Sequence, residues 1–151
     1  MYFESRTILN SVLRDNLTDP KLGRKNSSRR WIYRTEPDTT SQDFEGYPTI
    51  ILESPDLTED NQDLLHSTSD TELSFNLEVA TEFNDPDARL DTISSEIHAI
   101  FKSFTNLNLF AQNNMFEPTV TSSPGARVQR DLKQLMVRNF IITFQTTQEA
   151  V

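Results

Sequence analysis

The stretch Glu72-Leu73-Ser74-Phe75-Asn76-Leu77-Glu78-Val79-Ala80-Thr81-Glu82-Phe83 alternates apolar and polar side chains and runs directly into Asn84-Asp85-Pro86-Asp87. Successive side chains of a strand point to opposite faces. Leu73, Phe75, Leu77, Val79 and Phe83 are therefore expected on a core face, and Glu72, Ser74, Asn76, Glu78 and Glu82 on a wet one. The next four residues predict a helix start: Asp85 can accept from free N–H groups, Pro86 suits the first helical position, and Asp87 complements the positive end of the dipole. Leu90, Ile93, Ile97, Ile100, Phe101 and Phe104 then recur at spacings of three and four, the stripe of an amphipathic helix. A half-wet strand followed by such a helix predicts a sheet covered by helices on one face.

Working outward, Met136 to Thr146 predicts a long closing strand with Phe140, Ile142 and Phe144 on one face and Asn139, Ile141 and Thr143 on the other. Phe116 to Ser122 reads as a strand ended by the turn signal Ser123-Pro124-Gly125, and Leu107 to Met115 as irregular. Upstream, Tyr47-Pro48-Thr49-Ile50-Ile51-Leu52-Glu53 enters a strand through a proline, with β-branched residues after it and both faces apolar. Trp31, Ile32 and Tyr33 form a short strand. At the N-terminus, Ile8, Leu9, Val12, Leu13 and Leu17 fall on one helical face, and Asp19-Pro20 stops the run. Two polar stretches, near residues 21–46 and 54–71, are expected as exposed loops. The expectation is an α+β fold, a mostly antiparallel sheet of about four to five strands with two helices packed on one face, in the order α-β-β-β-α-β-β.

The 151 residues, 35% hydrophobic and 25% charged, suit one domain over residues 1–151. The chain has no cysteine, which excludes disulfides, thiolate metal sites and a cysteine nucleophile. Its three glycines, Gly23, Gly46 and Gly125, cannot write a dinucleotide or Walker phosphate loop. His98 has no metal-ligating residue at i+4 and reads as structural. His66 lies near Asp63 but no nucleophile motif accompanies it. The acidic run from Asp56 to Asp63 lacks the central glycine and terminal glutamate of a calcium loop. No cofactor, metal or catalytic residue is expected, and the protein is read as no enzyme. No apolar run approaches a membrane span and the start has no signal-peptide layout, so a soluble, intracellular origin is expected.

A net charge of −9 argues against a chain that coats nucleic acid with its whole surface. One segment runs against that sign: Lys21, Arg24, Lys25, Arg29, Arg30 and Arg34 are six of the fourteen basic residues, with Trp31 and Tyr33 beside them. Guanidinium groups can fork onto phosphates and aromatic rings can stack on bases, which is one reading of the cluster. The other is pairing with acidic groups of this chain or of a neighbouring subunit.

The N-terminal helix around Thr7 to Leu17, the Tyr47-Pro48-Thr49-Ile50-Ile51-Leu52 strand entry, the Glu72 to Phe83 strand running into Asn84-Asp85-Pro86 and a helix, and the closing Phe140-Ile141-Ile142-Thr143-Phe144 strand together resemble the tail terminator proteins of long-tailed bacteriophages, the lambda tail terminator family. The resemblance is one of architecture and spacing over most of the chain, and other neck components such as adaptor, stopper or head-tail joining proteins share it. It implies a non-enzymatic ring, usually of six subunits, in the neck of a virion assembled in the host cytoplasm. That ring caps the tail tube protein, ends tube polymerisation and offers its other face to the head connector or neck protein. DNA would pass through its lumen without sequence-specific binding. Lys21, Arg24, Lys25, Arg29, Arg30 and Arg34 are then expected at the lumen or at a subunit interface. A free-standing nucleic-acid-binding module is the competing class, opposed by the net charge and by an element order unlike an RNA-recognition domain.

Overall fold

The computed structural model describes residues 2–20, 31–40, 44, 46–60, 68–84, 89–130 and 132–149. The alternation read at residues 72–83 belongs to a strand of 15 residues, Thr68–Glu82, which pairs antiparallel with a strand of 17 residues, Lys133–Glu149. The register sets Leu73 opposite Phe144, Phe75 opposite Ile142 and Leu77 opposite Phe140, so the apolar faces of both strands coincide. These two long strands are the spine on which the other elements hang.

In chain order the elements are α1 (Tyr2–Asn16), β1 (Ile32–Tyr33), β2 (Thr49–Leu52), β3 (Asp56–Asp60), β4 (Thr68–Glu82), α2 (Arg89–Ile100), α3 (Phe104–Gln112), β5 (Phe116–Ser122), β6 (Ala126–Arg130) and β7 (Lys133–Glu149). The fold is α+β with a mostly antiparallel sheet. The exception is the short parallel pair β1–β2. The sheet path is β1-β2-β4-β7-β5, with β3 also on β4 and β6 also on β7. Thus β4 carries β3 beside its first half and β2 beside its second, while β7 carries β6 and then β5.

The apolar stripes of the helices and the matched faces of β4 and β7 form one core. Leu9, Val12 and Leu13 from α1 and Leu90, Ile93, Ile97 and Ile100 from α2 pack with Ile50, Leu52, Leu73, Phe75, Leu77, Phe140, Ile142 and Phe144. Phe110 of α3 closes this core against Phe144 at 4.9 Å between ring centroids, and Phe101 stacks on Phe110 at 5.7 Å. A small second core lies on the opposite side of the sheet, where Tyr47 packs with Ala80, Leu135 and Val137 under Phe44. Gly46, at φ 86°, turns the chain into it, and Tyr47-Pro48 is a cis peptide.

Five expectations are corrected. The sheet has seven strands among the described residues, where four to five were expected, because Asp56–Asp60 and Ala126–Arg130 pair as β3 and β6. Both are flanking strands held by backbone ladders, which need no apolar alternation, and β4 itself begins at Thr68, inside the expected loop 54–71. The segment read as irregular forms α3, making three helices and the order α-β-β-β-β-α-α-β-β-β. Asparagine is a poor helix former, but Asn106 is buried and its Nδ2 donates to the Ile100 carbonyl at 3.1 Å, so tertiary packing overrides propensity. Phe104 leaves the α2 stripe and is 80% exposed at the start of α3, and Phe83 follows the end of β4 with the Arg127 guanidinium 4.4 Å over its ring. The helix-start residues Asp85, Pro86 and Asp87 lie outside the described residues.

Candidate interaction surfaces

The basic segment was the sequence's clearest charge feature. Lys21, Arg24, Lys25, Arg29 and Arg30 lie outside the described residues, as does His66, so their placement is not part of the described structure. Arg34 is described, exposed, just after β1. Trp31, expected beside the cluster as a stacking ring, is fully buried in the main core. The base-stacking reading loses its largest ring, because an indole contributing to the core cannot also stack on a base.

Arg34 lies at one end of a groove of about 330 Å³ on the side of the sheet away from the helices, lined with Glu36, Ile51, Glu53, Glu78 and Arg130. One ion pair crosses it. Arg130 bonds Glu78, which together with the nearby Glu36 and Tyr47 holds the guanidinium above its ordinary pKa, although partial burial opposes this. Glu53 accepts from Asn76 Nδ2 at 3.1 Å. Close by, Arg6 of α1 donates through Nη2 to the carbonyls of Arg34 and of Leu52, the latter at 2.7 Å, and through Nη1 to Ser54 Oγ at 3.4 Å. Burial, with the nearby positive charge of Arg34, lowers its pKa from the usual arginine value. The guanidinium is a structural clip that ties α1 to the ends of β1 and β2.

His98 lies half-buried with its ring 5.8 Å from that of Phe140, the structural position expected for it. Among the described residues no group of three or more histidine and carboxylate side chains is placed to hold a metal. No described helix is long and apolar enough to cross a membrane.

A second surface was missed in the sequence. From Ser103 to Ala126 the chain carries one ionisable side chain, Glu117, although 25% of all residues are charged. This run forms α3 and β5. It exposes Phe104 at 80% and Leu109 and Phe116 at 40% each. Its signal in the sequence is the missing charge, which periodicity alone does not read. β5 closes one flank of the sheet and β1 the other, with β3 and β6 also at the flanks, and among the described residues no further strand covers them. Open strands beside an uncharged apolar helix are groups that seek a partner.

Comparison with protein-family models and with curated proteins returned no match.

Proposed function

We propose that the protein is a structural virion component, a tail terminator that assembles into a closed ring, with six copies the expected number. The ring caps the tail tube, ends tube polymerisation and offers its other face to the head connector or neck protein, while DNA passes through the lumen without sequence-specific contacts. The observation that carries this reading is a sheet that, among the described residues, is open at both flanks, with the α3–β5 surface, whose one ionisable side chain is Glu117, along one of them. A subunit whose two flanks are chemically different joins head to tail, and head-to-tail contacts close into rings when the rotation permits. The four sequence segments that resemble the tail terminator family are the second support. Lys21, Arg24, Lys25, Arg29, Arg30 and Arg34 are proposed for the lumen or a subunit seam, where they meet DNA phosphates or a neighbour's carboxylates.

Phe104→Asp tests the reading, because it places a charge on the apolar surface without touching the core. The variant is expected to keep its circular dichroism spectrum and to lose the capping of purified tail tubes that the wild-type protein performs. Wild-type protein that leaves tube length and tube ends unchanged would contradict the function. Normal capping by the variant would remove this surface from it.

A further inference from the structure

Charge is divided along this chain more sharply than its total of −9 suggests. Residues 35–88 contain no lysine or arginine and fifteen of the 23 carboxylates, a charge of −15. The remaining residues sum to +6. Most of that excess lies in residues 1–34, with eight of the fourteen basic residues against three carboxylates. One chain thus carries two segments of opposite sign.

The fold leaves both segments with charges to match. Residues 35–88 supply β2, β3 and β4, and the register of these strands sets Glu53, Asp56, Glu72 and Glu78 on one face of the sheet, the face away from the helices. Glu53, Asp56 and Glu72 are exposed, and among the described residues none of the three has a cation at ion-pair distance, whereas Glu78 bonds Arg130. On the basic side, Arg6 donates to backbone carbonyls and Ser54, and Arg14 and Arg34 have no carboxylate partner among the described residues. Residues 21–30, with five cations, join two points of the main core on the helix side, Leu17 just after α1 and Trp31 just before β1. The acidic face of the same chain lies across the sheet from both anchors.

We infer that the basic segment 21–30 of one copy docks on the Glu53–Asp56–Glu72 face of the next copy; this rests on the ring reading above and names the two halves of its seam. Charge complementarity identifies the occupant. Copies of net charge −9 repel except where opposite signs meet, and residues 21–34 are the strongest positive stretch the chain offers to such a face. The segment and the face are different surfaces of one subunit, so each copy gives one and receives one. That is the head-to-tail contact from which a ring closes.

Two variants reverse the halves separately: Glu53→Lys with Glu72→Lys on the face, and Arg29→Glu with Arg30→Glu in the segment. A chain carrying all four changes is made alongside. Assembly is followed by sedimentation over a range of protein and salt concentrations, with circular dichroism checking each fold. Each two-residue variant alone is expected to need at least about tenfold more protein to assemble than wild type. An equimolar mixture of the two is expected to regain wild-type assembly, since each offers the charge that the other lacks. Wild-type assembly is expected to weaken as salt rises, because exposed charges are screened over roughly 8–10 Å. Wild-type assembly that ignores salt, or a mixture that assembles no better than its components, overturns this contact and leaves the ring reading standing. Rescue confined to the chain with all four changes puts the segment on its own chain's face and overturns the contact as well. A wild type that is monomeric at assembly concentration and on tail tubes overturns both.

Discussion

Arg6 joins three backbone segments through one guanidinium, which donates to the carbonyls of Arg34 and Leu52 at the ends of β1 and β2. Arg6→Met keeps the aliphatic stem and removes the donors. It is expected to cost roughly 1–3 kcal/mol in urea denaturation, the range for lost hydrogen bonds from a charged group. A cost within about 0.5 kcal/mol, the scale of a neutral surface change, would show that water replaces the clip. Leu132→Asn should move the other way, unchanged or more stable by up to about 1 kcal/mol, since a strained left-handed leucine becomes a residue that tolerates that backbone. Asp38 offers a pH test: its carboxylate accepts from the Thr40 hydroxyl at 2.6 Å and from the Thr40 N–H at 3.0 Å, which hold it below its ordinary value of 3.8. A group lowered in the folded state adds stability above its unfolded pKa and loses that contribution as pH falls through the folded one. Thr40→Ala removes the hydroxyl, and an NMR titration of Asp38 should show its midpoint rising toward 3.8.

At the scale of elements, Leu77 and Ile97 are fully buried where β4 and α2 contribute to the main core. Leu77→Ala and Ile97→Ala are each expected to cost about 2–5 kcal/mol by chemical denaturation. A loss below about 0.5 kcal/mol at either would place that side chain outside the core. These elements were legible in the sequence because burial forces a period on the residues that face a core: two for Leu73 to Val79 and for Phe140 to Phe144, about 3.6 for Leu90 to Ile100. β2 was legible as well, its Thr49, Ile50, Ile51 and Leu52 all buried as a run of apolar and β-branched residues implies. β3 was not, since Asp56, Glu59 and Asp60 follow no apolar period. α3 was hidden by Asn106 and Asn108, whose propensity opposes the helix that Phe110 stabilises from the core. The basic segment could be read as charge but not as position, and the α3–β5 surface is marked only by a lack of charge.

At the scale of the molecule, a chain of net charge −9 must bring copies together through neutral or oppositely charged surfaces. The proposed seam of Arg29 and Arg30 gives a direct prediction. Replacing both by Glu should leave the circular dichroism melt unchanged while tube capping and particle infectivity fall, with a salt dependence, since exposed charges are screened over roughly 8–10 Å. A lost fold would instead put these arginines in intrachain pairs. Normal capping and infectivity would leave them as solvated charge. The ring itself is the central claim, and native mass spectrometry of the full chain at assembly concentration, alone and bound to purified tail tubes, tests it most directly. One closed species of fixed copy number, expected to be six, is the predicted result; a chain that stays monomeric in both conditions would contradict it.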